Sequence, residues 1–496
     1  MDQLIEDRVT MALSLDNTTR AELWGRVVDV IENYTTDISK LRIGPDLDPA
    51  KVRADLVPLN FDRPMEPAKA LEFTLDILMR HQTHVVHPRY FGLYDPAPSA
   101  MGVIAETLVA AFNPQLSVWI QSPGAVEIEQ LLVRLFGEKF GYDKSKVDGT
   151  FTSGGAEANH TALLTALTHA FPNFVSKGLR ALSSQPVLYV SSEGHHSVLK
   201  AAQSCGLGTE AVREIEIDRD LRMDVKVLSA RIANDKAEGL QPFLIVGTAG
   251  TTNAGVVDPL GELGDIAARE ALWFHVDSAW GGAVVLVSEL RHLLSGIEHA
   301  DSITFDPHKL LSVPRSAGLY LTRHPNILAK TFDVAAAYMP GMNSSEQVVD
   351  QFRHSLQWSR RFIGLKLFMT LAVAGWDGYA EVIRQQLSVG EYLRSELERS
   401  GWKVLNDSAL GVLCFVDRTH DDGALSTYLE AIREDVVSSG EAWISITRLG
   451  KSTPALRACI VNYLTRPDDV SALVASLNKA RDNHMLHGHR GMNTKE

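Results

Sequence analysis

The chain has 496 residues, 45% of them hydrophobic and 22% charged, with a net charge of −13. That length can bury two or three cores, the proportions are ordinary for a soluble enzyme, and the negative balance argues against a nucleic acid as partner. Three scattered cysteines, Cys205, Cys414 and Cys459, point away from a disulfide framework and towards a reducing cytoplasm; no run is long and apolar enough to span a membrane, and the acidic start Met1-Asp2-Gln3-Leu4 lacks a signal-peptide core.

Residues 1–93 are mostly helix-patterned, with proline breaks at Leu56-Val57-Pro58 and Phe61-Asp62-Arg63-Pro64-Met65. Residues 94–366 alternate helices with short buried strands at Val187–Val190, Phe243–Val246, Leu272–Val276, Ser302–Phe305 and Gly318–Leu321. That alternation predicts an α/β domain with a mostly parallel sheet and helices on both faces. From residue 367 to 496 a helix precedes strands at Val412–Val416, Trp443–Thr447 and Leu456–Val461, which predicts a smaller α+β domain. The last dozen residues are polar and are expected to fray.

Two strand ends carry the chemistry. Phe274-His275-Val276-Asp277 is a short apolar strand ending in a carboxylate, and about thirty residues on Ser302-Ile303-Thr304-Phe305-Asp306-Pro307-His308-Lys309 leads a second strand into a lysine. Pyridoxal phosphate needs this pair: an amine to condense with its aldehyde, and a carboxylate to keep its pyridine nitrogen protonated. Ligands bind parallel sheets at the C-terminal ends of the strands, where both residues fall. Upstream, Phe151-Thr152-Ser153-Gly154-Gly155-Ala156-Glu157-Ala158-Asn159-His160 leads into a helix-like run. Small residues at a helix start let backbone N–H groups reach a phosphate, which the helix dipole favours. The run Val187–Ser197 ends in His195-His196-Ser197, and an imidazole there can stack on a flat heterocycle.

These elements resemble the group II amino-acid decarboxylases, the family of the aromatic-amino-acid, glutamate and cysteine-sulfinate enzymes. Further segments of the same order extend the likeness over nearly the whole chain: His87–Gly92, Ser122–Glu129, the arginine-rich Ser359–Lys366, and Leu456–Asn462. The resemblance implies the type I fold of pyridoxal-phosphate enzymes and an L-amino-acid decarboxylase releasing CO2 and an amine. It implies a homodimer with shared active sites, in which residues 1–93 form an arm on the partner. It assigns Lys309, Asp277, His195 and Tyr338 as catalytic, and Gly155, Ala156, His195, Thr252, Asp277, Ala279, His308 and Lys309 to the cofactor. His195 would stack on the ring, with His196 the weaker candidate. Tyr338, in a loop with Pro340-Gly341, would protonate the product carbanion, and a tyrosine there favours simple decarboxylation over oxidative deamination.

Two positions depart from the family. Ala156 stands where several relatives carry serine, so only its backbone can bind phosphate. Asp306 stands where the aromatic and glutamate enzymes have asparagine, which requires its carboxylate to face away or to be held by a neighbouring N–H. The implied substrate pocket comprises Leu93, Tyr94 and Asp95, with Gln115 and Ser117 from the partner. Gln115, Ser117 and Asp95 suit a hydrogen-bonding or cationic substrate; Arg457 would serve a carboxylate or the domain interface. An aldehyde synthase or another carbon–carbon lyase is the alternative on this scaffold. Tyr338 argues against the first and the arginine-rich segment against the second. The presence of Lys309, Asp277 and His195 argues against a non-catalytic scaffold. No metal is expected, since His84, His87, His484, His487 and His489 lack acidic or thiol partners at ligand spacing.

Overall fold

The computed structural model describes residues 13–45, 48–334, 348–419 and 425–492, with side chains to residue 485. Two sheets organise the chain. The larger has the order β1-β7-β6-β5-β4-β2-β3: β1 Asp148–Thr152, β2 Pro186–Ser191, β3 Val212–Ile215, β4 Gln241–Thr248, β5 Trp273–Asp277, β6 Ser302–Phe305 and β7 Gly318–Thr322. Strands β2 to β6 run parallel, and β7 runs antiparallel to both β6 and β1. β1 therefore points the same way as β6, and the ends of β1, β2, β4, β5 and β6 share one edge.

Among the described helices are α1 Asn17–Asp37, α2 Pro67–Arg80, α3 Ala100–Phe112 and α4 Pro123–Lys139. They continue with α5 Gly155–Ala170, α6 Ser197–Ser204, α7 Val225–Ala237, α8 Leu260–Glu270, α9 Leu365–Arg399, α10 Leu425–Ser439 and α11 Pro467–Met492. Alternate side chains of a strand face opposite sides of its sheet, and both sides here are buried. Leu188 and Val190 of β2 pack with Leu163 and Leu167 of α5 on one face. Val187 and Tyr189 pack with Leu228 and Ile232 of α7 and Leu263 of α8 on the other. The small residues of α5 (Ala158, Ala162, Ala166) let it lie close across the sheet's centre.

The smaller sheet is antiparallel, in the order β10-β11-β9-β8: β8 Trp402–Val404, β9 Val412–Asp417, β10 Ser445–Leu449 and β11 Thr453–Cys459. The strands expected at Trp443–Thr447 and Leu456–Val461 thus sit two or three residues from their expected places, because Gly450 at φ 55° makes the turn between them. β1, β3 and β8 had no counterpart in the sequence reading. Helix α9 runs through both domains. Tyr379, Ile383 and Leu387 belong to the large core, while Val389, Leu393 and Leu397 belong to the small one. Gly375 breaks the helix at φ 64°.

The arginine-rich segment is not a helix before Leu365. Arg360 is buried there and donates to Glu129 Oε2 at 2.8 Å, Thr150 Oγ1 at 2.9 Å and Phe151 O at 3.0 Å. It pins the loop behind β1, an irregular geometry that bidentate donors can hold and a helical repeat cannot. Among the described residues, no helix is long and apolar enough to cross a membrane, and no group of three His, Cys, Asp or Glu side chains is placed to hold a metal.

Candidate active site

The loops at the shared strand edge enclose a cavity of about 260 Å3. It is lined by the start of α5, His195 beyond β2, Thr248, Gly250 and Thr252 at the end of β4, Asp277 and Ala279 from β5, and Asp306, His308 and Lys309 beyond β6. Each cofactor residue expected from sequence lines this one space.

On the β5 side, Asp277 is buried and fully engaged. Its Oδ2 accepts from Asn159 Nδ2 at 2.7 Å and its Oδ1 from the Ala279 N–H at 3.1 Å. Hydrogen bonds to both oxygens hold the carboxylate in one orientation. His195 Nδ1 accepts from Ser197 Oγ at 2.8 Å and from the Ser197 N–H at 3.2 Å. Burial chiefly lowers its pKa, with Asp277 opposing, so the ring is neutral with its proton on Nε2. Asn159 went unassigned in the sequence reading. The signal was available: an amide on the sheet-facing side of a helix otherwise built of Ala, Thr and Leu must find buried partners.

On the β6 side, Lys309 Nζ lies 3.2 Å from Asp306 Oδ2, and His308 Nε2 lies 3.8 Å from the same oxygen. Asp306 is buried, and its Oδ1 has no partner among the described residues. The expectation that this carboxylate faces away or is held by an N–H is corrected: it lies against the helix start and is paired with the lysine amine. His308 Nδ1 contacts Ala317 O at 2.6 Å, and burial lowers its pKa. At the head of α5, the N–H groups of Glu157 and Ala158 close on Gly154 O. The N–H groups of Gly155 and Ala156 precede that first closure, as the leading donors of a helix do. A Cβ at Gly155 would stand 3.0 Å from Asp306 Oδ2 and 3.3 Å from Ala279 Cβ, so a side chain there would require Asp306 to give by a few tenths of an ångström.

These features fit pyridoxal phosphate. An amine and a carboxylate face one cavity, two free backbone donors mark its anion end, and the buried hydroxyl Thr248 Oγ1 awaits a partner there.

The expected substrate residues scatter. Tyr94 is buried against Trp280, with ring centroids 4.8 Å apart, and its hydroxyl donates to Thr252 O at 2.9 Å. Arg315 lines the cavity and donates to Tyr94 O at 2.9 Å and to Asp95. Leu93 is exposed. Gln115 accepts from the Arg360 N–H at 2.8 Å, and Ser117 contacts Gln121; neither lines this chain's cavity. Arg457 donates to Gly92 O at 2.8 Å, Thr252 O at 2.7 Å and Asn253 O at 3.1 Å. It stitches the small sheet to the cavity loop. Tyr338 lies outside the described residues.

Comparison with known proteins agrees with this geometry. Residues 50–418 match the pyridoxal-dependent decarboxylase conserved domain. An aromatic-L-amino-acid decarboxylase of Bacillus atrophaeus is 28% identical over 470 residues, covering 94% of this chain and 96% of the relative. The cysteine sulfinic acid decarboxylase of Mus musculus is 31% identical over 409 residues, covering 79% of this chain and 81% of the relative. The crystal structure of mouse CSAD superposes with a TM-score of 0.88 at 26% identity, over 94% of this chain and 99% of that one. The chain belongs to the pyridoxal-dependent decarboxylase family. It is a pyridoxal-phosphate-dependent carboxy-lyase, taking CO2 from an amino acid and leaving an amine.

Proposed function

We propose that the substrate is an L-amino acid with a compact anionic side chain, and that two copies of the chain complete each site. The observation that carries the substrate class is Arg315, a guanidinium lining the same cavity as Lys309: one of its nitrogens holds Asp95 and Tyr94 O, and its other N–H groups have no partner among the described residues. The polar groups that had favoured a cationic substrate are engaged within this chain: Asp95 with Arg315, Gln115 with Arg360. A planar guanidinium suits a carboxylate or sulfinate. An aromatic substrate is the second reading, supported by the Tyr94–Trp280 wall and by the Bacillus atrophaeus relative.

When bound, the cofactor supplies an aldehyde for amine capture and a ring that accepts the electron pair of the breaking bond. Lys309 would offer the amine, and Asp277 would keep a proton at the ring nitrogen. The Gly155 and Ala156 N–H groups would hold the phosphate. His195, Ala279, Thr252 and His308, which line the same cavity, would hold the ring. Tyr338 delivers the final proton. Tyr338→Phe should cut amine formation by roughly a hundredfold or more and raise peroxide output; an unchanged rate and product ratio would remove Tyr338 from this role.

Assembly draws support from unburied apolar surface. Helices α1 and α2 bury no residue. Trp24, Val28 and Ile31 of α1 and Ile104, Leu108 and Phe112 of α3 are exposed, Phe112 at 81%. Patches of this kind mark interfaces. The cavity also falls below the roughly 300 Å3 at which ligand pockets begin, which suits completion by a second chain. Three free thiols, two of them buried, support a reducing cytoplasm.

The test incubates holoenzyme with L-aspartate, L-glutamate, L-cysteine sulfinate, L-tyrosine, L-tryptophan and L-lysine, measuring CO2 and peroxide. The highest kcat/KM is expected for an acidic member, with little peroxide. A preference for tyrosine or tryptophan would establish the second reading, and peroxide matching CO2 would establish the aldehyde synthase. An active monomer by sedimentation would overturn the shared site.

A further inference from the structure

The side chain of Asn159 makes four polar contacts among the strand ends and the helix beside the cavity, one of them to Asp277. Its Nδ2 donates to Asp277 Oδ2 at 2.7 Å and to Ser197 Oγ at 2.8 Å. Its Oδ1 accepts from Thr304 Oγ1 at 2.7 Å and meets His275 Nε2 at 3.1 Å. The amide's orientation is thereby determined: both donors face oxygens and the carbonyl faces a hydroxyl and an imidazole. Since Ser197 Oγ accepts from Asn159, its own proton turns to His195 Nδ1, 2.8 Å away. His275 Nδ1 in turn meets Ser302 Oγ at 2.8 Å, and Trp273 Nε1 donates to that oxygen at 2.9 Å. The chain of bonds runs from the floor of β5 and β6 to both walls of the cavity.

We propose that Asn159 is a positioning residue that couples Asp277 to His195, fixing the carboxylate's plane and, through Ser197, the imidazole's tautomer. This rests on the assignment of Asp277 and His195 to the cofactor. The physical reason is economy of rotation. A carboxylate held at one oxygen can swing about its Cβ–Cγ bond. Held by Asn159 and the Ala279 N–H together, it presents its remaining lone pairs in one direction. An imidazole with Nδ1 occupied presents Nε2–H on the other side. The same amide group thus sets the proton acceptor and the proton-bearing edge relative to each other. The charged and titratable groups around it are His275 on β5, His195 beyond β2, Asp306 and Lys309 beyond β6, and His160 next to it on α5.

The test compares Asn159→Ala, Ser197→Ala, their double variant and Thr304→Val as holoenzymes. The readouts are kcat and KM, the pH midpoint of the bound cofactor's absorbance, and the cofactor Kd. Asn159→Ala should lower kcat about 10- to 100-fold, the range seen when partners that orient metal-site ligands are removed. Its KM should stay within about threefold, since binding of the amino acid itself is untouched, and its absorbance midpoint should move by about one pH unit. Ser197→Ala should shift kcat the same way but less. The double variant should match Asn159→Ala alone, because both act along one path. Thr304→Val keeps its shape while freeing the amide, and should give a weaker copy of the Asn159→Ala shift even if that variant fails to fold. Additive losses in the double variant would overturn the coupling. Unchanged kcat and absorbance midpoint in Ser197→Ala and Thr304→Val would also overturn it. Loss of cofactor absorbance in wild-type protein would instead strike the assignment of Asp277 and His195.

Discussion

Two buried aspartates end neighbouring strands and share one cavity, yet they are held in opposite ways. Asp277, at the end of β5, has both oxygens bonded by neutral donors. Asp306, just past β6, has one oxygen on the Lys309 amine and the other without a partner among the described residues. Neutral donors from a rigid helix and turn hold a carboxylate in place whatever else binds. A pairing with a lysine that must itself react is temporary. The first arrangement suits a group that works without moving; the second suits one whose surroundings change when the cofactor enters. A buried charge stripped of its partner is costly, so Asp306 and Lys309 hold each other in place.

The contrast can be broken most severely at Lys309. Lys309→Ala should abolish the yellow absorbance of bound cofactor and all measurable turnover, and leave Asp306 with no cation. Normal turnover would show that the lysine is misassigned. Next comes Asp277→Ala, for which cofactor absorbance should persist while kcat falls roughly a hundred- to a thousandfold, the scale of losing one electrostatic stabiliser. Wild-type turnover in that variant would erase the distinction between the two aspartates. Asp306→Asn should sharpen it: with the charge gone from beside the phosphate donors, cofactor affinity should rise roughly three- to tenfold, about the cost of one poorly satisfied buried group. Titration of the apo-protein with pyridoxal phosphate measures this, and weaker binding would make Asp306 a cofactor ligand in its own right.

The smallest effect at neutral pH concerns the bonds behind Asp277. Burial lowers the pKa of His275 to about 4, so the folded chain keeps it neutral where an unfolded chain would bind a proton. Its contribution is whole above pH 6.5 and is lost as pH falls towards 4, by about 3 kcal/mol at most. Urea unfolding at pH 7, 5.5 and 4.5 should show that decline. His275→Asn should flatten it at a lower plateau, and an equal slope in both would place the titration elsewhere.

Lys309 and Asp277 were legible because each ends an apolar run whose period marks a buried strand, and because their chemistry is complementary. Ser302–Phe305 was found at both ends since a fully buried strand leaves no polar residue to blur its limits. β3 and β8 escaped notice because they are short and partly exposed. Asn159 escaped because its role lies in four partners brought together from β5, β6 and α6, a tertiary fact. Arg457 stayed open between a carboxylate and the domain interface for a related reason: an arginine reads as a ligand for anions, but here it serves main-chain carbonyls across that interface. The charge was visible in the sequence, and the partner was not.

Helix α9 has a mechanical consequence. One continuous rod past Gly375 carries Tyr379, Ile383 and Leu387 in one core and Val389, Leu393 and Leu397 in the other. The two domains therefore cannot melt as independent bodies, because fraying the rod at either end strips apolar contacts from both. Heating should show a single cooperative transition. A cut in the helix between Ser388 and Leu393 would be tolerated by neither half. What sequence divides into a large and a small domain behaves, under load, as one beam with a load at each end.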